Sequence, residues 1–492
     1  MIGVARWGFR AMGAAGLAVA ALPAMPASAQ TAREAELEAR LKLLEQAVQD
    51  LRAELRSRPA TAAAVPAATA PPATASQGVV PGTAAGVSTA SPAIAAQSGT
   101  GTPGRRAESS VGALAAAPST DGFRIGATTV KLGGFVRLNV IGSRYNDGEV
   151  AVGGLGKEFF LPQQIPVGGG FSSEDLLFSA RQTRLVVSTA TPVNGIDAKT
   201  LVEFDFALAT APVGAQRATN PYVPTFRRGF IEYGPLLVGQ EWSTFQNIGV
   251  LPETTDFVGP LDGTVFNRQA LVRYSRPLSK AVTLQLALEN PETQTALPTN
   301  PALVDTDDDN VPDAVARLNW RSGLGEFALA GIARQLRTEM LGVGDTAFGW
   351  GLSGSGKVPL GKLSDLRFMV TYGEGIGRYL GLGYVPDAIY GGAVGNRLRT
   401  ITNVAAFAAI KIGWSPTVRS TFMGSYQDAD YPRGFVLTGL ANEKSYGGAA
   451  NLFWSPGKGF DLGLEYRHAI RELTSGDSGA LDRIEFAFKY GF

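Results

Sequence analysis

From Gly122 to Phe492 the chain alternates apolar and polar residues in short runs. This is the period-two pattern of a strand with two unlike faces. The stretch 481–492 carries it most cleanly: Ile484, Phe486, Phe488, Tyr490 and Phe492 share one face, and Arg483, Glu485, Ala487, Lys489 and Gly491 share the other. Near the start of the region, Val130, Leu132, Val136, Leu138 and Val140 oppose Lys131, Arg137 and Asn139. The same division sets Val202, Phe204 and Phe206 against Glu203 and Asp205, and Phe460, Leu462, Leu464 and Tyr466 against Asp461, Glu465 and Arg467. Sixteen such stretches are legible.

The connections alternate in length. Seven carry tight-turn chemistry, among them Thr191-Pro192-Val193-Asn194-Gly195, Tyr233-Gly234-Pro235, Ser322-Gly323-Leu324-Gly325 and Pro456-Gly457-Lys458-Gly459. Between them lie eight longer segments, such as 145–176, 243–266, 290–312 and 373–396. Seven turns and eight loops require sixteen strands. The expected fold is all-β, a sixteen-stranded antiparallel transmembrane barrel with apolar side chains toward lipid and charges toward an aqueous lumen. Energy decides the facing, because Arg or Lys toward lipid costs about 2–4 kcal/mol near the bilayer midplane. The last strand is expected to close against 130–140, with both chain ends on the short-turn, periplasmic side. Its alternating aromatics and Phe492 resemble the carboxy-terminal signature read by the machinery that assembles outer-membrane barrels, so that machinery and outer-membrane lipid are expected partners.

Three segments precede this region. Residues 1–29 read as a secretory signal peptide, with Arg6 and Arg10 before an apolar stretch and Ala27-Ser28-Ala29 as a cleavage site. Residues 31–58 predict a coiled-coil helix whose seam is Leu37, Leu41, Leu44, Val48, Leu51 and Leu55, spaced 4, 3, 4, 3, 4. Under three heptads are marginal alone, so self-association is expected. Residues 59–121 are an Ala/Pro-rich, low-complexity stretch expected to be a disordered linker.

Composition narrows the chemistry. The formal net charge of +1 gives no bulk attraction for nucleic acid. There is no cysteine and one histidine, His468, on a face read as lipid-facing, which argues against hydrolytic enzymes built on a histidine base. Arg137, Arg184, Arg228, Arg273, Arg317, Arg367, Arg419, Arg467 and Arg483 fall on faces read as lumenal. A ring of guanidinium groups in a constriction favours anions. Glu203, Asp205, Glu232, Glu465 and Glu485 are available on the same faces as partners that would offset it. The segment 243–266 is suited either to folding into the lumen or to remaining on the surface. Asp305, Asp307 and Asp309 alternate as in calcium loops, but Asn310 stands where such a loop has glycine and Ala316 where it has glutamate. A solvated acidic loop tip is the competing reading, and no other cofactor is expected.

Signal, heptad coil, linker and barrel in this order resemble the DcaP-like outer-membrane porins. Local support comes from Ala180-Arg181-Gln182-Thr183-Arg184, from the run Leu236 to Phe245 and from the run Val311 to Trp320. The resemblance implies a homotrimer of sixteen-stranded barrels with periplasmic coils, taking up small anions such as dicarboxylates. The alternative is a structural protein tethering the outer membrane to the cell wall through coil and linker.

Overall fold

The structure is a computed structural model that describes residues 122–208, 219–220, 222–339, 344–391, 397–432 and 438–492. The expected signal peptide, coil seam and linker lie outside the described residues. Eighteen strands form one sheet. The short strand Phe123–Ile125 only flanks the sheet, and two segments share one position beside the first long strand, which leaves sixteen places around a barrel. In chain order these are β1 Thr128–Tyr145, β2 in two parts Ser173–Ser179 and Arg184–Val193, β3 Ile196–Asp205, β4 Thr225–Tyr233, β5 Leu236–Trp242, β6 Arg268–Pro277, β7 Val282–Glu289 and β8 Asp313–Ser322. They continue as β9 Gly325–Thr338, β10 Asp345–Pro359, β11 Asp365–Glu374, β12 Thr402–Gly413, β13 Val418–Asp430, β14 Asn442–Trp454, β15 Phe460–Leu473 and β16 Ser478–Gly491.

Every neighbouring pair is antiparallel, and β16 closes on β1 from Phe135↔Gly491 to Tyr145↔Leu481. Closure removes the unpaired edges that lipid does not tolerate. The seam lies five residues further along β1 than the expected 130–140, because the first residues of β1 pair instead with Phe123–Ile125. The tight turns follow local chemistry. Asn194 and Gly195 both take positive φ, 51° and 82°, as a two-residue hairpin turn with the right twist requires.

In β16 the faces divide as the alternation predicts, whereas Val130 at the start of β1, expected on the lipid face, is buried where Phe123 of the flanking strand pairs with it. Ile484, Phe486, Phe488 and Tyr490 are exposed on the outer wall, while Arg483, Glu485 and Lys489 are buried inside. Exposed aromatics gather toward both rims: Trp414, Trp454, Phe460 and Tyr490 at the short-turn end, and Phe348, Tyr372, Tyr426 and Tyr446 at the long-loop end. Two aromatic belts around an apolar band are what a bilayer selects at its interfaces.

The long loops L1 (146–172), L3 (243–267) and L6 (375–401) bury most of their described apolar residues. Phe159, Phe160, Phe257, Val258 and Leu261 share one cluster, and Leu251, Val265, Tyr379 and Leu380 share another. In L4 (290–312) the hairpin Gln294–Leu297 and Asn300–Asp305 extends into a four-stranded sheet with Ala388–Ile389 and Arg399–Thr400 of L6. The two loops are joined by the parallel pairing Thr295↔Ala388. The core of this protein is therefore partly inside its barrel, built by loops.

Candidate functional site: the lumen and its inner loop

L3 folds inward, and its backbone is held from the wall. A loop inside a barrel must find partners for its carbonyls there, and arginines spaced around the wall supply several of them. Arg273 on β6 donates through Nε to Thr244 Oγ1 at 2.8 Å and through Nη2 to the Trp242 carbonyl. Arg317 on β8 donates to the Gln246 carbonyl, and Arg367 on β11 donates to the Leu251 carbonyl at 2.7 Å. Arg419 on β13 grips the Glu253 carboxylate at 2.7 and 2.5 Å. Asn451 on β14 reaches the Glu253 carbonyl at 2.8 Å. On β15 the Glu465 carboxylate accepts from Thr254 Oγ1 at 2.7 Å and from the Thr255 amide at 3.0 Å. On β1, Arg137 and Asn139 both donate to the Thr255 carbonyl. L3 thus follows the inner wall from β6 round to β1. Charge-assisted bonds of this kind contribute roughly 1.5–3 kcal/mol each.

The remaining predicted arginines divide between two other tasks. Arg467 pairs with Glu465 at 3.0 Å and lies 4.6 Å from the Phe160 ring of L1. Arg483 donates to Ser143 Oγ at 2.8 Å and to the Gly156 carbonyl of L1, with Asp256 of L3 at 3.8 Å. Arg184 and Arg228 join Glu203, Asp205 and Glu241 in a buried network on β2–β5. Arg184 lies 3.4 Å from Glu203, and Arg228 lies 2.7 Å from Glu241. Of the five predicted acidic partners, Glu203, Asp205, Glu465 and Glu485 are buried within these networks. Glu232 is not among them: it pairs with Lys199 at 3.5 Å near the short-turn end.

Alternation missed several lumenal residues. Arg227, fully buried against Glu203 at 2.5 Å, is adjacent to Arg228, and both point inward. The pairing between β3 and β4 slips at Glu203/Phe204, and such a bulge places two neighbours on one side. A strict period of two cannot announce it. Arg334 on β9 binds Asp313 and Asp387, each at 2.9 Å, and the Glu292 carbonyl at 2.6 Å, so it ties L4 and L6 to the wall. Its parity within β9 was readable, since Ala330 and Ile332 bury on the same side.

The acidic run in L4 does not gather around a cation. Asp305 accepts from Gln294 Nε2 at 2.9 Å, Asp308 from the Glu339 amide at 2.7 Å, and Asp309 from the amide and hydroxyl of Thr293 at 2.6 and 2.7 Å. Asp307 takes a left-handed turn conformation at φ 52°. Among the described residues no group of three His, Cys, Asp or Glu is placed to hold a metal ion. Of these carboxylates, Asp309 caps a backbone amide of the loop itself, at Thr293, and Asp308 caps the amide of Glu339 at the end of β9. Their electrostatic effect falls on Glu292, whose carboxyl is pushed up to about 7 by partial burial and by Asp305 and Asp307.

A closed barrel with an apolar exterior, a charged interior and an inward-folded third loop is the architecture of an outer-membrane channel of the porin type. The chain belongs to the DcaP outer membrane protein family, whose model matches residues 163–492. The crystal structure of the outer membrane channel DcaP of Acinetobacter baumannii shares the fold, with a TM-score of 0.64 and 23% identity over 75% of this chain and 99% of that one. OmpT of Vibrio cholerae is a more remote likeness, with a TM-score of 0.45 and 11% identity over 76% and 100% of the two chains. No curated protein matches significantly. Within the segments that carry the family resemblance, Arg181 and Gln182 occupy the break between the two halves of β2, and both are buried.

Proposed function

We propose that the protein is a passive channel for small hydrophilic solutes that prefers anions, dicarboxylates among them. The observation that carries this reading is the state of Arg273 and Arg317. Both donate to neutral acceptors, Thr244 and the carbonyls of Trp242 and Gln246, with Gln285 also accepting from Arg317 at 3.0 Å. Among the described residues no carboxylate lies within ion-pair distance of either. Fixed positive charge with no carboxylate in direct contact raises the local concentration of anions in a narrow lumen. The proposed assembly is a homotrimer with residues 31–58 as a periplasmic coil, supported by the heptad seam. Reversal potential across a planar bilayer under a salt gradient tests the preference. An anion-selective sign is expected, and a cation-selective sign overturns it while leaving the channel intact.

A further inference from the structure

At the long-loop end, segments of L4, L6 and L7 (431–441) enclose a cavity of about 240 Å³. Most of its lining is apolar, including Leu297, Pro298, Leu303 and Leu440. Leu440 is 60% exposed, so the cavity opens outward at this rim. Of the described lining residues only Arg471 is charged.

Arg471 sits on the inner face of β15, one turn of alternation beyond Arg467 and Ala469. Its Nε donates to Asn442 Oδ1 at 2.8 Å, and its Nη1 donates to the Ile165 carbonyl at 2.7 Å. Asn442 is itself fixed by donating to the Tyr384 carbonyl at 2.6 Å. Both acceptors of Arg471 are neutral, and among the described residues no carboxylate lies within ion-pair distance. A guanidinium held rigidly by neutral groups and facing an apolar cavity keeps its charge uncompensated. Such a charge is stabilised by an anion that brings a carboxylate to the free edge of the fork.

We propose that this cavity binds a small organic anion carrying a single carboxylate on an apolar body of about ring size. The volume sets the size, since an apolar cavity of about 150 Å³ already accepts benzene. The lining sets the charge. Among the described residues one cation lines the cavity, so a second carboxylate would be desolvated with no second cation to offset it. The site therefore differs from the general anion preference of the lumen, and its occupancy is measurable without any conduction.

The test is calorimetric titration of the full-length protein in detergent with cyclohexanecarboxylate. Acetate, cyclohexylmethanol and adipate serve as comparators for charge alone, apolar body alone and a second carboxylate. Cyclohexanecarboxylate is expected to bind at least tenfold more tightly than each comparator. Arg471→Gln is expected to weaken it at least tenfold. Leu303→Trp, which fills the cavity and leaves the guanidinium, should do the same. Heat-modified gel mobility checks that each variant is a folded barrel, and Leu303→Trp decides if Arg471→Gln is not. Equal binding of any comparator, or undiminished binding by a folded variant, overturns the site. Failure of anion selectivity in the bilayer would leave this result untouched.

Discussion

Arg419 on β13 and Glu253 in L3 form a two-pronged pair, with Nε 2.7 Å and Nη2 2.5 Å from the two carboxylate oxygens. Asp461 is a second acceptor for the same guanidinium at 3.1 Å. This pair fixes the middle of the inner loop to the wall opposite β6. Removing the guanidinium in Arg419→Ala leaves Glu253 partly buried without its partner, and undocking of this loop segment becomes easier by roughly 2–5 kcal/mol. Single-channel recordings should show larger or noisier conductance than in the parent. A steady, unchanged conductance would mean that the pair does not hold the loop.

Arg273 and Arg317 give a second prediction. Replacing both with Gln keeps polar side chains at those positions and removes two charges that no carboxylate among the described residues contacts. The anion-to-cation permeability ratio is expected to fall at least twofold, read from the reversal potential. The same double change should leave the barrel's heat-modified gel mobility as it was.

Arg334 holds two fully buried carboxylates, Asp313 and Asp387, one on β8 and one in L6. Arg334→Met leaves both without their cation, and breaking a buried pair in this way costs about 3–5 kcal/mol. The cost falls on L6, which docks through Asp387. Limited proteolysis should therefore cut within L6 in the variant under conditions that leave the parent intact.

Glu292 predicts a pH dependence with a definite sign. Its carboxyl titrates near 7 in the folded loop against 4.5 when free, because partial burial and then Asp305 and Asp307 disfavour the charged form. The folded loop thus binds more protons than the unfolded loop between these values. Its stability declines as pH rises through that window and levels off above about 7. Hydrogen exchange of L4 amides, corrected for intrinsic rates, should be slower at pH 5 than at pH 8. In Glu292→Gln the difference should shrink, and an identical pH dependence in that variant would remove Glu292 as its cause.

Residues 31–58 give a prediction about assembly. If their seam of Leu37, Leu41, Leu44, Val48, Leu51 and Leu55 staples chains together, deleting the segment should lower the temperature at which a trimer dissociates in native gels. An unchanged dissociation temperature would assign assembly to the barrel walls.

Much of the wall was legible because lipid and water impose opposite demands on alternate residues. β16 shows this in Ile484, Phe486 and Phe488 against Arg483, Glu485 and Lys489. The turn at Asn194-Gly195 was legible because few residues accept its dihedrals. The destination of L3 was not legible. Its mixed content fits water or a lumen equally well, and the decision rests on guanidinium groups more than a hundred residues away, such as Arg367 and Arg419. Predicted lumenal arginines were placed inside, but their tasks were not readable, since an arginine offered to solute and one spent on a carbonyl have the same sequence. Arg227 was hidden by the bulge beside Arg228. Arg471 was within reach, because extending the parity of Arg467 by four residues finds it.

The circuit of L3 has a mechanical consequence. A loop bonded in turn to β6, β8, β11, β13, β15 and β1 is a hoop fastened inside a tube. Flattening the tube's cross-section must stretch some of those fastenings, and shifting the hoop must pull on the wall. The roundness of the barrel and the position of the loop are therefore mechanically coupled through the arginines that fasten it.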